Sequence, residues 1–350
     1  MKELRAIVDA LALDPAGPAV LATLVAVEGS SYRRPGARLL FRPDGGAIGN
    51  ISGGCLEEDV LGRAVRVARS GTAELVTYDT TSENDLVWGV GLGCHGVVRV
   101  LLEPVPERPE WVNAARRAFC ERRVCTLATT YAAETAEVRL GTSLIESELR
   151  SSALSLTGKS VFLQTVLPPV RLVLFGAGDD ARPLARMASE LGWDVVVADP
   201  RPAMATPTRF STAQEVHCGP ADSLAARCRL DARSVAVVMT HHYIHDVPIL
   251  HALLPSPVPY IGLLGPRKRG ERILHDLAAA GAVFPEAQPA RLHAPVGLDL
   301  GADGAEQVAL SILAEIQAVL AGRDATPLRE RTLPIHTEAV TSVAGAKAVS

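Results

Sequence analysis

Along the first third of the chain the apolar positions change period several times, and each change marks an element. Lys2–Leu13 spaces its apolar side chains at three and four residues and predicts a short helix, whereas residues 20–27 form a near-continuous apolar run of strand length. A glycine-punctuated loop, Gly29-Ser30-Ser31-Tyr32-Arg33-Arg34-Pro35-Gly36, follows. Residues 38–42 and 47–51 are β-like runs separated by Pro43-Asp44-Gly45-Gly46, a turn in which glycine supplies the positive φ required. They predict a hairpin. Ser52-Gly53-Gly54 then reads as the start of a helix with an apolar stripe of Val60, Leu61, Ala64, Val65 and Ala68, and Gly71 is placed to end it.

A strand near residues 73–78 leads through a polar stretch and a glycine-rich segment, 89–96, into the apolar run 97–104, which reads as a closing strand of the same domain. Residues 108–167 are less regular, with one helix over 111–123 and β-like runs at 124–130 and 161–166. From Val170 strands and helices alternate, which predicts a parallel sheet. Its buried strands are Arg171–Phe175, 194–198, 235–239 and 258–263, with a helix over 182–191 closed by Gly192. A last helix near 306–320 carries Val308, Ile312, Ile316 and Val319 on one face. The pattern therefore predicts an α/β chain: an N-terminal α+β domain (1–167), a Rossmann-like doubly wound parallel sheet (168–322) and a flexible tail (323–350).

Composition narrows the function classes. At 350 residues two domains are expected, and 48% hydrophobic against 21% charged residues argues for a globular protein. Thirty-five Lys and Arg against 39 Asp and Glu give a net charge of -4, without the basic excess that nucleic-acid binding needs. Six cysteines without any C-x-x-C spacing point to free thiols in a reducing compartment. Glu3 and Asp9 interrupt the N-terminal apolar stretch, and no apolar run approaches the roughly 20 residues of a membrane helix, so a cytoplasmic location is expected.

Several short motifs could carry chemistry. Gly176-Ala177-Gly178-Asp179-Asp180 follows a strand and opens a helix, and Asp199 ends the next strand. That is the dinucleotide fingerprint in its structural context, with Asp199 placed for ribose hydroxyls. Against it, Asp179 and Asp180 suit a helix dipole but repel an incoming phosphate. A Rossmann-like turn that only caps a helix fits equally well.

Ser52-Gly53-Gly54-Cys55 puts a thiol at a helix start, where the N–H groups and dipole favour the thiolate, and flanking glycines admit a close partner. An inert, buried cysteine is the alternative. Gly93 and Cys94 lie in a second glycine-rich loop that suggests a shared pocket, or only the packing of small residues at a bulge. Arg33 and Arg34 could grip a phosphate or carboxylate, unless their loop is simply a solvated turn. His241 and His245 have the spacing of a helical metal pair after the third parallel strand, although a ligand-facing loop is the better use of that segment. Arg267, in Gly265-Pro266-Arg267-Lys268-Arg269, opens a helix after the fourth strand in an anion-seeking arrangement or a basic surface turn.

With these residues in view, the chain resembles the XdhC/CoxI family of molybdenum-hydroxylase accessory proteins. In the first half the likeness rests on GSSYRRPGARLL, IGNISGGCLEEDV and YDTTSENDLVWGVGLGCHGVVRVLLEP. In the second it rests on LVLFGAGDDARPLARMASELGWDVVVADPRP, VVMTHHYIHD, YIGLLGPRKR and LHAPVGLDLGADGAEQVALSILAEI. The resemblance implies a cytoplasmic homodimer that binds molybdenum cofactor, as molybdopterin or its dinucleotide form. It would work with a cysteine desulfurase while the cofactor is sulfurated and pass it to a molybdenum hydroxylase apoenzyme, acting as a chaperone and not as an enzyme.

Joined to that resemblance, Arg33, Arg34, Arg267 and the Gly176 turn become candidate donors to the pterin phosphate. Cys55, secondarily Cys94, becomes a candidate sulfur ligand to the metal. The rival reading is an NAD(P)-dependent oxidoreductase using the Gly176 turn and Asp199. A metal-dependent hydrolase built on His241, His245 and Asp246 is a third.

Overall fold

A computed structural model describes residues 1–13, 17–79, 96–135, 137–145, 158–332 and 342–344. Its contacts divide the chain into Met1–Pro168 together with Thr337–Ser350, and Pro169–His336.

In the first unit α1 (Lys2–Leu13) precedes β1 (Ala19–Gly29), β2 (Arg38–Phe41) and β3 (Ala47–Gly49). Then come α2 (Glu57–Ser70), β4 (Glu74–Asp79), β5 (Gly96–Val105) and α3 (Glu110–Cys120). β6 (Cys125–Ala133), β7 (Gly141–Ile145) and β8 (Lys159–Val166) complete it. Five strands form an antiparallel sheet in the order β3-β2-β1-β5-β4, so the strand expected to close the domain lies inside its sheet.

Val20, Ala22 and Leu24 of β1 pack under α2, while Leu21 and Val25 turn to the opposite face. There they join α1, α3 and side chains of β6 and β8. Burial on both faces explains why β1 reads as a continuous apolar run and not as an alternation.

The helix predicted to start at Ser52 starts at Glu57, so residues 52–56 form a loop and Cys55 precedes the helix. Its buried stripe is Val60, Ala64 and Val67, whereas Leu61 and Val65 are 48% and 45% exposed, because the sheet meets the helix along a narrower line than the sequence stripe. Gly71 ends the helix as expected, left-handed with its N–H on the Val67 carbonyl at 2.9 Å.

The second unit alternates β9 (Arg171–Phe175), α4 (Ala181–Glu190), β10 (Asp194–Asp199), β11 (Glu215–Cys218) and α5 (Ala221–Arg227). β12 (Ser234–Val238), α6 (Tyr243–Leu253), β13 (Ile261–Leu263), α7 (Arg267–Ala279), β14 (Leu292–His293) and α8 (Ala305–Ala321) follow. All six strands are parallel, in the order β11-β10-β9-β12-β13-β14. Numbered within the unit this is 3-2-1-4-5-6, the order of dinucleotide-binding sheets.

Leu172, Leu174, Val195, Val197, Val235 and Val237 face α4 and α8, and the alternate residues face α5, α6 and α7. The doubly wound Rossmann-like expectation is met. The two edge strands, β11 and β14, are short and half-buried, which is why they left no apolar run to read.

Beyond Gly322 the chain forms a 3-10 turn, Leu328–Glu330, and a strand, β15 (Ser342–Ala344), that pairs antiparallel with β8. With it the second sheet of the first unit runs β15-β8-β6-β7. No helix among the described residues is long and apolar enough to cross a membrane.

Candidate functional site

β9 and β12 are neighbours whose chains leave the sheet in opposite directions, and ligands of such sheets bind outside the carboxyl ends at this point. The turn after β9 is held tightly. Gly176 has φ of +123°, and a Cβ there would lie 2.6 Å from the carbonyl carbon of Met239 and 2.9 Å from the Thr240 nitrogen. Only glycine lets the two strand ends approach so closely.

Asp199, at the end of β10, is fully buried beneath the turn. Its Oδ2 accepts the Ala177 N–H at 2.6 Å and Arg201 Nη2 at 2.7 Å, and its Oδ1 accepts the main-chain N–H and Nε of Arg201 at 2.7 and 2.9 Å. Burial acts to raise its pKa, but the Arg201 guanidinium and these N–H groups outweigh it and hold the carboxyl below its ordinary range. The acid expected on ribose hydroxyls therefore braces the turn from inside, with both oxygens engaged by the protein.

The two acids of the turn each meet a basic side chain. Asp179 is exposed and pairs with Arg209 at 2.9 Å and Arg182 at 3.6 Å, and its pKa is lowered, chiefly by the guanidinium of Arg209. Asp180 Oδ2 lies 2.6 Å from His241 Nε2. The expected repulsion of a phosphate is thus partly offset by neighbours remote in sequence.

His241 itself has φ of +60° and precedes α6, so it forms no helical i, i+4 pair with His245. The ring edge that His245 meets belongs to His242, 5.7 Å away. No group of three metal-ligating side chains occurs among the described residues. Thr240 Oγ1 donates to the buried Asp246 at 2.5 Å, and Asp246 pairs with Arg269, which ties the start of α6 to the start of α7. Arg267, one of the predicted anion donors, is 80% exposed with Glu271 at 3.9 Å as its neighbour.

In the first unit, residues 51–56 wrap the carboxylate of Glu57. Its Oε1 accepts the N–H groups of Ile51 and Ser52 at 3.2 and 2.9 Å, and Oε2 accepts those of Gly54 and Leu56 at 3.0 and 3.2 Å together with the Ser52 hydroxyl. Burial tends to raise the Glu57 pKa, and the Ser52 hydroxyl and loop N–H groups reverse this and depress it. The N–H donors expected to face a Cys55 thiolate are thus directed at Glu57. Cys55 is half-buried beside the core under α2, Gly53 and Gly54 have φ of +106° and +118°, and a Cβ on Gly53 would strike the Tyr32 ring at 3.0 Å.

Arg33 grips Glu3 with both arms, Nη1 on Oε1 at 3.0 Å and Nη2 on Oε2, so its fork pins α1 to the loop. Arg34 is exposed beside it. Gly93 and Cys94 lie outside the described residues.

Sequence reasoning overlooked a second buried polar group in this unit. Arg38, on β2, is 2% exposed and bonds through Nη1 to Gly36 O at 3.1 Å and to Gln164 Oε1, while its Nε and Nη2 have no partner among the described residues. Burial lowers its pKa to about 10, against the pull of Glu103. Glu103, on β5, is 7% exposed and accepts Thr142 N–H at 2.7 Å and Thr142 Oγ1 at 2.5 Å. Both sit in apolar-rich strand segments, where no local signal announces a buried charge.

Comparison with known proteins finds one family model within each unit. The model of the XdhC Rossmann domain matches residues 172–316, and that of the XdhC and CoxI family matches residues 12–79. A Bacillus subtilis (strain 168) protein named as a probable subunit of xanthine dehydrogenase is 35% identical over 90% of this chain and 97% of its own length. The molybdenum cofactor insertion chaperone PaoD of Escherichia coli (strain K12) is 26% identical over 86% of this chain and 83% of its own. The crystal structure of a xanthine dehydrogenase from Bacillus halodurans superposes with a TM-score of 0.76 at 32% identity, covering 93% of this chain and 97% of that one. On likeness of this extent, the chain belongs to the XdhC and CoxI family.

Proposed function

We propose that the protein is an accessory chaperone that binds molybdenum cofactor, assists its sulfuration alongside a cysteine desulfurase, and delivers it to a xanthine-dehydrogenase-type molybdenum hydroxylase. In this reading it is a cytoplasmic homodimer with no turnover of its own. The observation that carries the reading is the likeness, over most of its length, to a protein named a molybdenum cofactor insertion chaperone. The cofactor is cargo here. In the first unit its phosphate would be met by Arg34; in the second unit, taken by itself, the candidate donors are Arg267 and the Gly178 N–H, since the N–H groups of Gly176 and Ala177 already bond Ala198 O and Asp199. Arg33 supports the loop through Glu3, and Cys55 offers sulfur to the metal from a loop with two flanking glycines.

A second reading, an NAD(P)-dependent oxidoreductase, draws on the strand order and the Gly176 turn. It is disfavoured by Asp199, whose oxygens are already held by Ala177 and Arg201.

The test is purification from a host that makes molybdenum cofactor, followed by measurement of molybdenum and of the oxidised pterin fluorophore per chain. Comparable amounts of both, falling together in a Cys55→Ala variant, are expected. Absence of both after incubation with free cofactor, together with saturable binding of a nicotinamide dinucleotide, would overturn the reading in favour of the oxidoreductase.

A further inference from the structure

A cleft of about 930 Å³ opens in the first unit between the carboxyl end of β5, α3 and the β6–β7 hairpin. Its size suits a ligand as large as a nucleotide. Arg108, Arg117 and Arg139 line it from three different segments, and none of them makes an ion pair among the described residues. Glu103 lies in its wall with Trp111, and Glu110 is the other acid there. Three guanidiniums that share a cleft without carboxylate partners are suited to an anion of more than one charge, which they can bind bidentately.

Glu103 is the unusual member. It is a nearly buried carboxylate with no cation within ion-pair distance among the described residues, and burial pushes its pKa up in spite of Thr142, Arg38 and Arg139. A group so placed in a cleft is a candidate for function. Thr142 takes one bond at each carboxylate oxygen, which leaves a lone pair on each. The site has been kept clear around it: a Cβ on Gly141 would lie 2.5 Å from Glu103 Oε2.

A carboxylate with one open position on each oxygen matches a ring edge that presents two parallel N–H donors. The 2-amino-4-oxo-pyrimidine ring of guanine and of pterins has such an edge, and adenine and cytosine lack it.

We propose that this cleft binds a phosphorylated 2-amino-4-oxo-pyrimidine heterocycle, with its ring edge on Glu103 and its phosphate on Arg108, Arg117 and Arg139. The inference stands on the cleft and does not depend on the protein carrying molybdenum. If the heterocycle is a pterin, the cleft adds a second site to the proposed cargo protein.

Titration calorimetry of the full chain with GMP, AMP, inorganic phosphate and a 6-substituted pterin phosphate tests it. GMP or the pterin phosphate should bind at least about tenfold more tightly than AMP, the ratio that one charge-assisted pair supplies. Whichever of the two binds more tightly identifies the source of the ring. Arg117→Ala/Arg139→Ala should weaken both by about tenfold or more. Glu103→Gln keeps an acceptor for the Thr142 N–H but presents an N–H where the ring needs an acceptor, so the preference over AMP should fall towards unity while phosphate binding persists. No binding of either ring at millimolar concentration overturns the proposal, as does equal affinity for GMP, the pterin phosphate and AMP in the wild type. These two comparisons use wild-type protein, so they decide the matter even where a variant fails to fold. Molybdenum content is read separately, so failure of the cleft and failure of the chaperone reading are distinguishable.

Discussion

Gly176→Ala measures how tightly the ends of β9 and β12 are packed. The new methyl group would sit 2.6 Å from the Met239 carbonyl carbon and 2.9 Å from Thr240 N, both main-chain atoms that cannot rotate away. A φ of +123° adds conformational strain for any residue with a Cβ. The strain is worth about 1–2 kcal/mol and the overpacking about 1–3 kcal/mol, so the variant should lose about 2–5 kcal/mol.

Gly54→Ala is the control. Its φ of +118° is nearly the same, and nothing lies within 4 Å of the added carbon, so only the strain of about 1–2 kcal/mol applies. The assay is hydrogen exchange of main-chain amides, resolved by segment. Exchange in β9 and β12 should accelerate by about thirtyfold or more in Gly176→Ala, the factor that about 2 kcal/mol gives, while β1 and β5 stay at wild-type rates. A change of less than about threefold in β9 and β12 would refute the close approach of the two strand ends.

Asp199→Asn should destabilise the second unit by about 2 kcal/mol at neutral pH, because a buried charge-assisted network loses its acceptor charge. The Asp199 pKa is depressed in the fold, so its stabilisation is complete above the ordinary carboxylate pKa and is lost as pH falls through the depressed value. Denaturant midpoints of wild type and variant should therefore converge in acid, and a gap that stays constant as the pH is lowered would contradict the assignment. Glu57→Gln keeps one acceptor oxygen but sets an amide N–H against two of the four main-chain donors, so alkylation of Cys55, followed by mass spectrometry of its peptide, should speed up several-fold. An unchanged rate would mean that the loop does not depend on the carboxylate. Arg33→Ala should cost only about 0.5–1 kcal/mol in thermal denaturation, since the Glu3 pair is 27% and 40% exposed, and a loss above about 2 kcal/mol would show a larger structural role.

Much of the chain was legible because its elements bury apolar faces of recognisable period. Arg171–Phe175 has no polar residue after its first position, since a parallel strand covered on both faces has nothing to present to water. Gly71 and the helix before it were readable because a left-handed cap is a local demand on one residue. β7, β11 and β14 were not, because short strands at sheet edges bury too little to impose an alternation. Leu61 and Val65 misled for a related reason: apolar composition shows which side chains are able to be buried, but the neighbouring sheet decides which of them are.

The candidate site divides along the same line. The sequence by itself determined the strand–turn–helix at Gly176, the glycines around Cys55 and the family likeness, all properties of contiguous residues. Only the tertiary structure decided what the charged groups do. It set Asp199 on Ala177 and Arg201, set His241 against Asp180, closed Arg33 on Glu3 and turned the loop amides towards Glu57. It also left Glu103 and three arginines on one cleft. A hydrogen bond or ion pair depends on distance in space and on the water excluded around it, and neither is a function of spacing along the chain.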